Sequence, residues 1–155
     1  MDDFSLITQS GSVDIERCNE TARKFGITLS QSDAILLQNA RIKALRRAGR
    51  VEFAGGIIEK LVLAFCDSPY LEQDGFTEAM EELIDIFYEF KNDSLDEPDD
   101  DEVISLMKKY FDGECCGSTD ALRDDMSRAA RNIRYGREYE EDSENDVYFR
   151  GGYDE

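Results

Sequence analysis

Gly56-Ile57-Ile58-Glu59-Lys60-Leu61-Val62-Leu63-Ala64-Phe65-Cys66 decides how this chain folds. Wound as a helix, the run is apolar on nearly every side, and such a helix has to be surrounded by other helices. It is far short of the ~20 apolar residues that a membrane span needs. The segment is therefore expected to be the centre of a helical bundle.

Working outward, Asp67-Ser68-Pro69-Tyr70 ends that helix, because a residue before proline avoids helical dihedrals. A helix over about 75–91 follows, with Phe76, Met80, Leu83, Phe87 and Phe90 on one face and Glu78, Glu81, Glu82, Asp85 and Glu89 on the other. On the upstream side, a helix from Gln31 to about Ala48 is capped by Ser30, with Asp33 where a capping-box acid belongs and Gly49 as its stop. Leu37, Ala40, Ala44, Leu45 and Ala48 make its apolar face. A first helix is expected over about 13–25, with Ser12 as its cap, Gly26 closing it, and Ile15, Cys18, Ala22 and Phe25 inward. A fifth over about 100–111 turns Val103, Leu106, Met107 and Tyr110 inward. A sixth over about 119–135 is capped by Ser118 and buries Leu122, Met126, Ala129 and Ile133.

The resulting fold class is all-α, a compact bundle of about six helices around the central apolar helix at about 56–66. At most a very short extended segment is expected near 51–53. Residues 1–136 read as one helical domain, and 137–155 as an acidic C-terminal tail, either mobile or docked at an edge through Tyr148 and Phe149.

The 155 residues carry a formal charge of −18, unevenly spread. Residues 1–50 are net +2, residues 51–100 net −13, and residues 101–155 net −7. A surface of this sign repels nucleic-acid phosphates and anionic headgroups, so neither bulk nucleic acid nor membrane is an expected partner. The acidic start, Met1-Asp2-Asp3, lacks the basic residues of a secretory leader, and a cytoplasmic location is expected.

Chemistry is constrained chiefly by what is missing. With no histidine, the usual neutral-pH base, Ser-His-Asp and Cys-His catalysis and His-ligated metals are all excluded. No phosphate-cradling glycine motif occurs, and no cofactor is implied. Gly55-Gly56 could present free amides beside a pocket, although a tight turn explains the pair more simply. Cys18 and Cys66 read as core thiols. Cys115-Cys116, on a glycine-flanked loop ahead of the sixth helix, are the candidate thiol site, with Asp112, Glu114 and Asp120 opposing ionisation. Tyr70, Tyr88 and Tyr110 are expected at the core edge with their hydroxyls in water.

Arg41, Lys43, Arg46, Arg47 and Arg50 form the densest cationic cluster. It suits an acidic ligand or the acidic tail. A helix C-terminus neutralised by the acids of the fourth helix explains it more simply.

Gly49-Arg50-Val51-Glu52-Phe53, Ala64-Phe65-Cys66-Asp67-Ser68-Pro69-Tyr70, Phe87-Tyr88-Glu89-Phe90-Lys91-Asn92 and Phe111-Asp112-Gly113 resemble a small family of uncharacterised bacterial proteins. The resemblance covers roughly 29–117, leaving out the N-terminal helix and the tail. It implies a helical bacterial cytoplasmic protein and transfers no activity, cofactor or site residue. The expected function is a non-catalytic, acidic interaction or regulatory protein that binds a protein with a basic surface, a nucleic-acid mimic being one form. The alternative is a small thiol enzyme or redox sensor using Cys115-Cys116 or a pocket near Gly55-Gly56.

Overall fold

The computed structural model describes residues 13–52 and 57–135. Among them are six α-helices: α1 (Ile15–Ala22, continued by a 3-10 turn over Arg23–Phe25), α2 (Gln31–Ala48), α3 (Ile57–Phe65), α4 (Phe76–Asp93), α5 (Asp100–Asp112) and α6 (Thr119–Tyr135). No β-ladder occurs among the described residues. One isolated bridge joins Glu72 and Gly75, and Val51-Glu52 has no regular structure. The expected tail, residues 137–155 with Tyr148 and Phe149, and the Gly55-Gly56 pair lie outside the described residues.

Local chemistry places most helix ends. Ser30 Oγ accepts the Asp33 amide at 3.1 Å while the Asp33 carboxylate accepts the Ser30 amide at 2.8 Å, a reciprocal capping box. Asp99 and Glu102 do the same for α5, each bond 2.9 Å long. Ser118 Oγ accepts the Ala121 amide at the start of α6. Gly49 closes α2 at φ +70°, a left-handed conformation that glycine enters without Cβ strain.

The first helix departs from expectation. Its cap is Asp14, whose side chain accepts the Arg17 amide, so the helix begins two residues later than a Ser12 cap would start it. Cys18 and Ala22 are buried, but Phe25 is 50% exposed, because the tighter 3-10 turn rotates it off the apolar stripe. Asn19 is buried in its place, with its amide donating to the Leu29 carbonyl and accepting the Leu29 amide.

Cross-helix contacts give the topology. Thr77 donates to Asp33 near the start of α4, and Asn92 donates to the Ala48 carbonyl near its end. Both indices rise together, so α2 and α4 run parallel. Arg123 of α6 reaches Glu82, Asp85 and Glu89 on the other side of α4. Lys60–Asp101 and Phe65–Phe111 likewise align α3 with α5. The even helices thus form one layer with α4 in the middle, and α1, α3 and α5 form the second with α3 in the middle. Helix α3 packs against α1, α2, α4 and α5, the enclosure that its all-round apolarity requires. Helix α4 shares the centre with it: ten of its eighteen residues are buried, including Phe76, Phe87, Tyr88 and Phe90.

Leu61, Phe65, Leu83 and Phe87 all have 0% exposure and belong to one apolar cluster. Phe87→Ala should therefore cost about 3–5 kcal/mol in denaturant melts, the range for truncating a buried aromatic. A loss below about 1 kcal/mol would be incompatible with this core.

Candidate functional site

Helix α2 turns Ala34, Leu37, Arg41, Ala44 and Leu45 into the bundle. The residues between them on the wheel, Lys43, Arg46 and Arg47, are left on the outside beside the acid-bearing face of α4. An open groove results. Its first section encloses about 540 Å³ between Leu36, Ala40 and Lys43 on one wall and Glu81, Asp85 and Arg123 on the other. A second section of about 370 Å³ continues past Ala48 to Glu89 and Asn92. The cationic cluster on α2 and the acidic face of α4, separate in the sequence, are thus two sides of one surface.

Much of that charge is already engaged. Asp85 accepts from Arg47 of α2 and, at 3.1 Å, from Arg123 of α6. Arg123 also binds Glu89 at 2.7 Å and Glu82 at 3.2 Å. Partial burial pulls the Arg123 pKa down, but hydrogen bonds to Asp85 and Glu89 outweigh this and hold it above the usual arginine value. Of the five expected acids, Glu82, Asp85 and Glu89 are tied to cations, whereas Glu78 and Glu81 have no ion pair among the described residues. Arg123 has no place in the sequence-derived site. Its signal is faint: it is a lone cation among Asp120, Asp124 and Asp125, next to the inward Leu122.

The basic cluster is divided three ways. Lys43 and Arg46 are exposed at the groove and have no ion pair among the described residues. Arg50 makes a two-pronged contact with Asp96, at 2.9 and 3.0 Å, and a bond to Asn92. Arg47 pairs with Asp85, the helix-end neutralisation that the sequence allows. Arg41 leaves the surface altogether. Its Nε donates to Tyr88 Oη at 3.3 Å, its guanidinium pairs with Glu52 at 3.0 Å, and Tyr88 Oη in turn donates to Glu52 at 2.6 Å.

Tyr88 is accordingly buried rather than reaching water, and burial, followed by the bond to Glu52, pushes its pKa up. The triad fastens the start of the α2–α3 connector to the bundle. Tyr70 and Tyr110 do stand at the core edge. Tyr70 is exposed and meets Phe111 edge to face at 6.4 Å, and Tyr110 is half-buried.

The thiol site splits as well. Cys115 is buried, and its Sγ donates to Asp125 at 3.3 Å. Burial first, then that carboxylate, pushes its pKa up to about 12. Cys116 is exposed at φ +49°, with its Sγ directed at the Gly113 carbonyl. All four cysteines are free, and Cys18, buried near Glu59 and Asp14, is also pushed up to about 12. Among the described residues no cluster of His, Cys, Asp or Glu could hold a metal ion, and no helix is long and apolar enough to cross a membrane.

The chain belongs to a family of unknown function, DUF6323, whose model matches residues 14–139. The match takes in α1 and passes the end of α6, and so runs wider than the resemblance over 29–117. Comparison with curated proteins and with solved structures found no match.

Two measurements check this arrangement. Tyr88→Phe removes the hydroxyl that accepts from Arg41 and donates to Glu52, and should lower stability by about 1–3 kcal/mol in urea melts. At pH 7, a thiol reagent should label Cys116 at the rate of an exposed cysteine, while Cys115 should react only as fast as the protein opens.

Proposed function

We propose that this member of a family of unknown function is a non-catalytic interaction protein of the bacterial cytoplasm, and that it binds a protein partner with a basic surface. The observation that carries the reading is the groove along α4. It joins exposed Leu36 to Glu81, with Glu78 one turn before it on the same face of α4, and neither acid has an ion pair among the described residues. Asp120 adds to them, one turn before Arg123 on the face of α6 that meets Glu82. Acids left unpaired beside an exposed apolar side chain suit a basic protein surface, where the leucine supplies contact area and the carboxylates supply steering and register. The charge of −18 favours fast encounter with such a partner. Four free cysteines fit a reducing compartment. In one form of this reading the carboxylates stand in for phosphates, and the partner is a protein whose basic groove otherwise holds nucleic acid.

A fluorescent Lys/Arg-rich peptide should bind and weaken steeply with added salt, while a Glu-rich control peptide should not bind. Neutralising Glu78→Gln, Glu81→Gln and Asp120→Asn together should weaken binding about tenfold, corresponding to three exposed pairs of roughly 0.5 kcal/mol each. Unchanged binding in that variant would overturn the assignment of the surface.

A further inference from the structure

The same groove is complementary to itself. Thr77 meets Asp33 and Asn92 meets Ala48, each pair 44 residues apart, and these short-reach contacts fix the register of α4 on α2. On that register Glu78 stands level with Ala34 of α2, and Glu81 level with Leu37. Glu81 lines the groove with Glu78 one turn before it on the same face of α4, and Lys43 and Arg46 line it further along, on α2. Glu78 and Arg46 are separated by about 18 Å along the helices. None of the four has an ion pair among the described residues. Ala40 lies midway between Ala34 and Arg46, and also midway between Leu37 and Lys43. A two-fold axis standing on the groove beside Ala40 therefore carries Glu78 onto the level of Arg46 and Glu81 onto the level of Lys43.

We infer that this face is where a second copy of the chain docks, antiparallel, with Glu78 and Glu81 of each copy meeting Arg46 and Lys43 of the other. This goes beyond binding a basic partner, although it shares Glu78 and Glu81 with that reading. A two-fold interface uses one patch twice, so it demands a surface whose charges change sign across the axis. This groove meets the demand. It also meets the apolar one. Ile35 and Leu36 are 57% and 47% exposed on the outer side of α2. The rotation lays α2 of one copy over α4 of the other and carries Leu36 to the level of Ala44, where it covers part of the groove. Ile35 does not line the groove, so this burial accounts for Leu36 alone.

The size of the face sets the strength. An 18-residue helix is about 27 Å long, and two helices side by side are about 20 Å wide, so the pair buries on the order of 1,000 Å² in all. That is the lower limit for a specific interface. Long-range repulsion between two chains at −18 opposes association further, so a concentration-dependent dimer with a micromolar-range dissociation constant is expected.

Sedimentation velocity of the full chain, from micromolar to millimolar concentration and with no peptide present, tests this. The wild type should shift from monomer to dimer. K43E/R46E should stay monomeric, and so should E78K/E81K, since each sets like charges against each other. An equimolar mixture of the two variants should form a one-to-one heterodimer, because both contact sets are then complementary again. That rescue also shows that both variants are folded. A wild type that remains monomeric throughout overturns the proposal and leaves a basic protein or the chain's own acidic C-terminal residues as the occupant. So does a dimer that persists in both reversal variants, since it must use another face. Binding of the Lys/Arg-rich peptide is read separately and also depends on Asp120, so the two readings fail independently.

Discussion

Helix α4 has to be covered over more than half of its circumference. Ten of its eighteen residues are buried, and they include aromatic side chains at both ends. A helix with so wide an apolar arc cannot sit at an edge, so α2 and α6 flank it while α3 and α5 close it from below. What remains open is a narrow strip, made mostly of the acids Glu78, Glu81, Glu82, Asp85 and Glu89. The charge network follows from this burial. Flanking helices close enough to seal the core bring Arg47 and Arg123 to Asp85, whatever small net stability those exposed pairs add.

Features governed by neighbours along the chain were legible in the sequence. The capping box at Ser30, the left-handed glycines at 26 and 49, and the all-round apolarity of α3 each depend on contacts within one turn or on one helical wheel. Those set by the register between helices were not. Arg41 lies on the wheel beside Leu37 and Ala44, and nothing in α2 alone says that Tyr88, 47 residues on, presents a hydroxyl to it. Arg123 fails for the same reason, since its partners lie 34 to 41 residues earlier. Phe25 and the Asp14 cap are a smaller error of a local kind. The helical repeat carries through a segment that the structure tightens into a 3-10 turn.

The candidate site also gains meaning only after assembly. In sequence, the cations of α2 and the acids of α4 are two unrelated clusters. In the bundle, Asp85 accepts from both flanking arginines, with Glu81 to one side of it along the groove and Lys43 and Arg46 to the other. The thiol pair resolves in the other direction. Two adjacent cysteines that look alike in sequence become one buried donor to Asp125 and one exposed side chain on a left-handed turn.

The two-layer topology has a consequence for how the chain is made. Partners within a layer are never consecutive helices: α2 pairs with α4, α4 with α6, and α3 with α5. Asp33 waits 44 residues for Thr77, and Lys60 waits 41 for Asp101. A nascent chain leaving the ribosome therefore carries α2 and α3 with most of their apolar surface uncovered until α4 emerges. Each later helix completes a layer begun two elements before. Protection against aggregation during synthesis then falls to the solvent-facing charges, which makes the acidity of this chain useful before any partner is met.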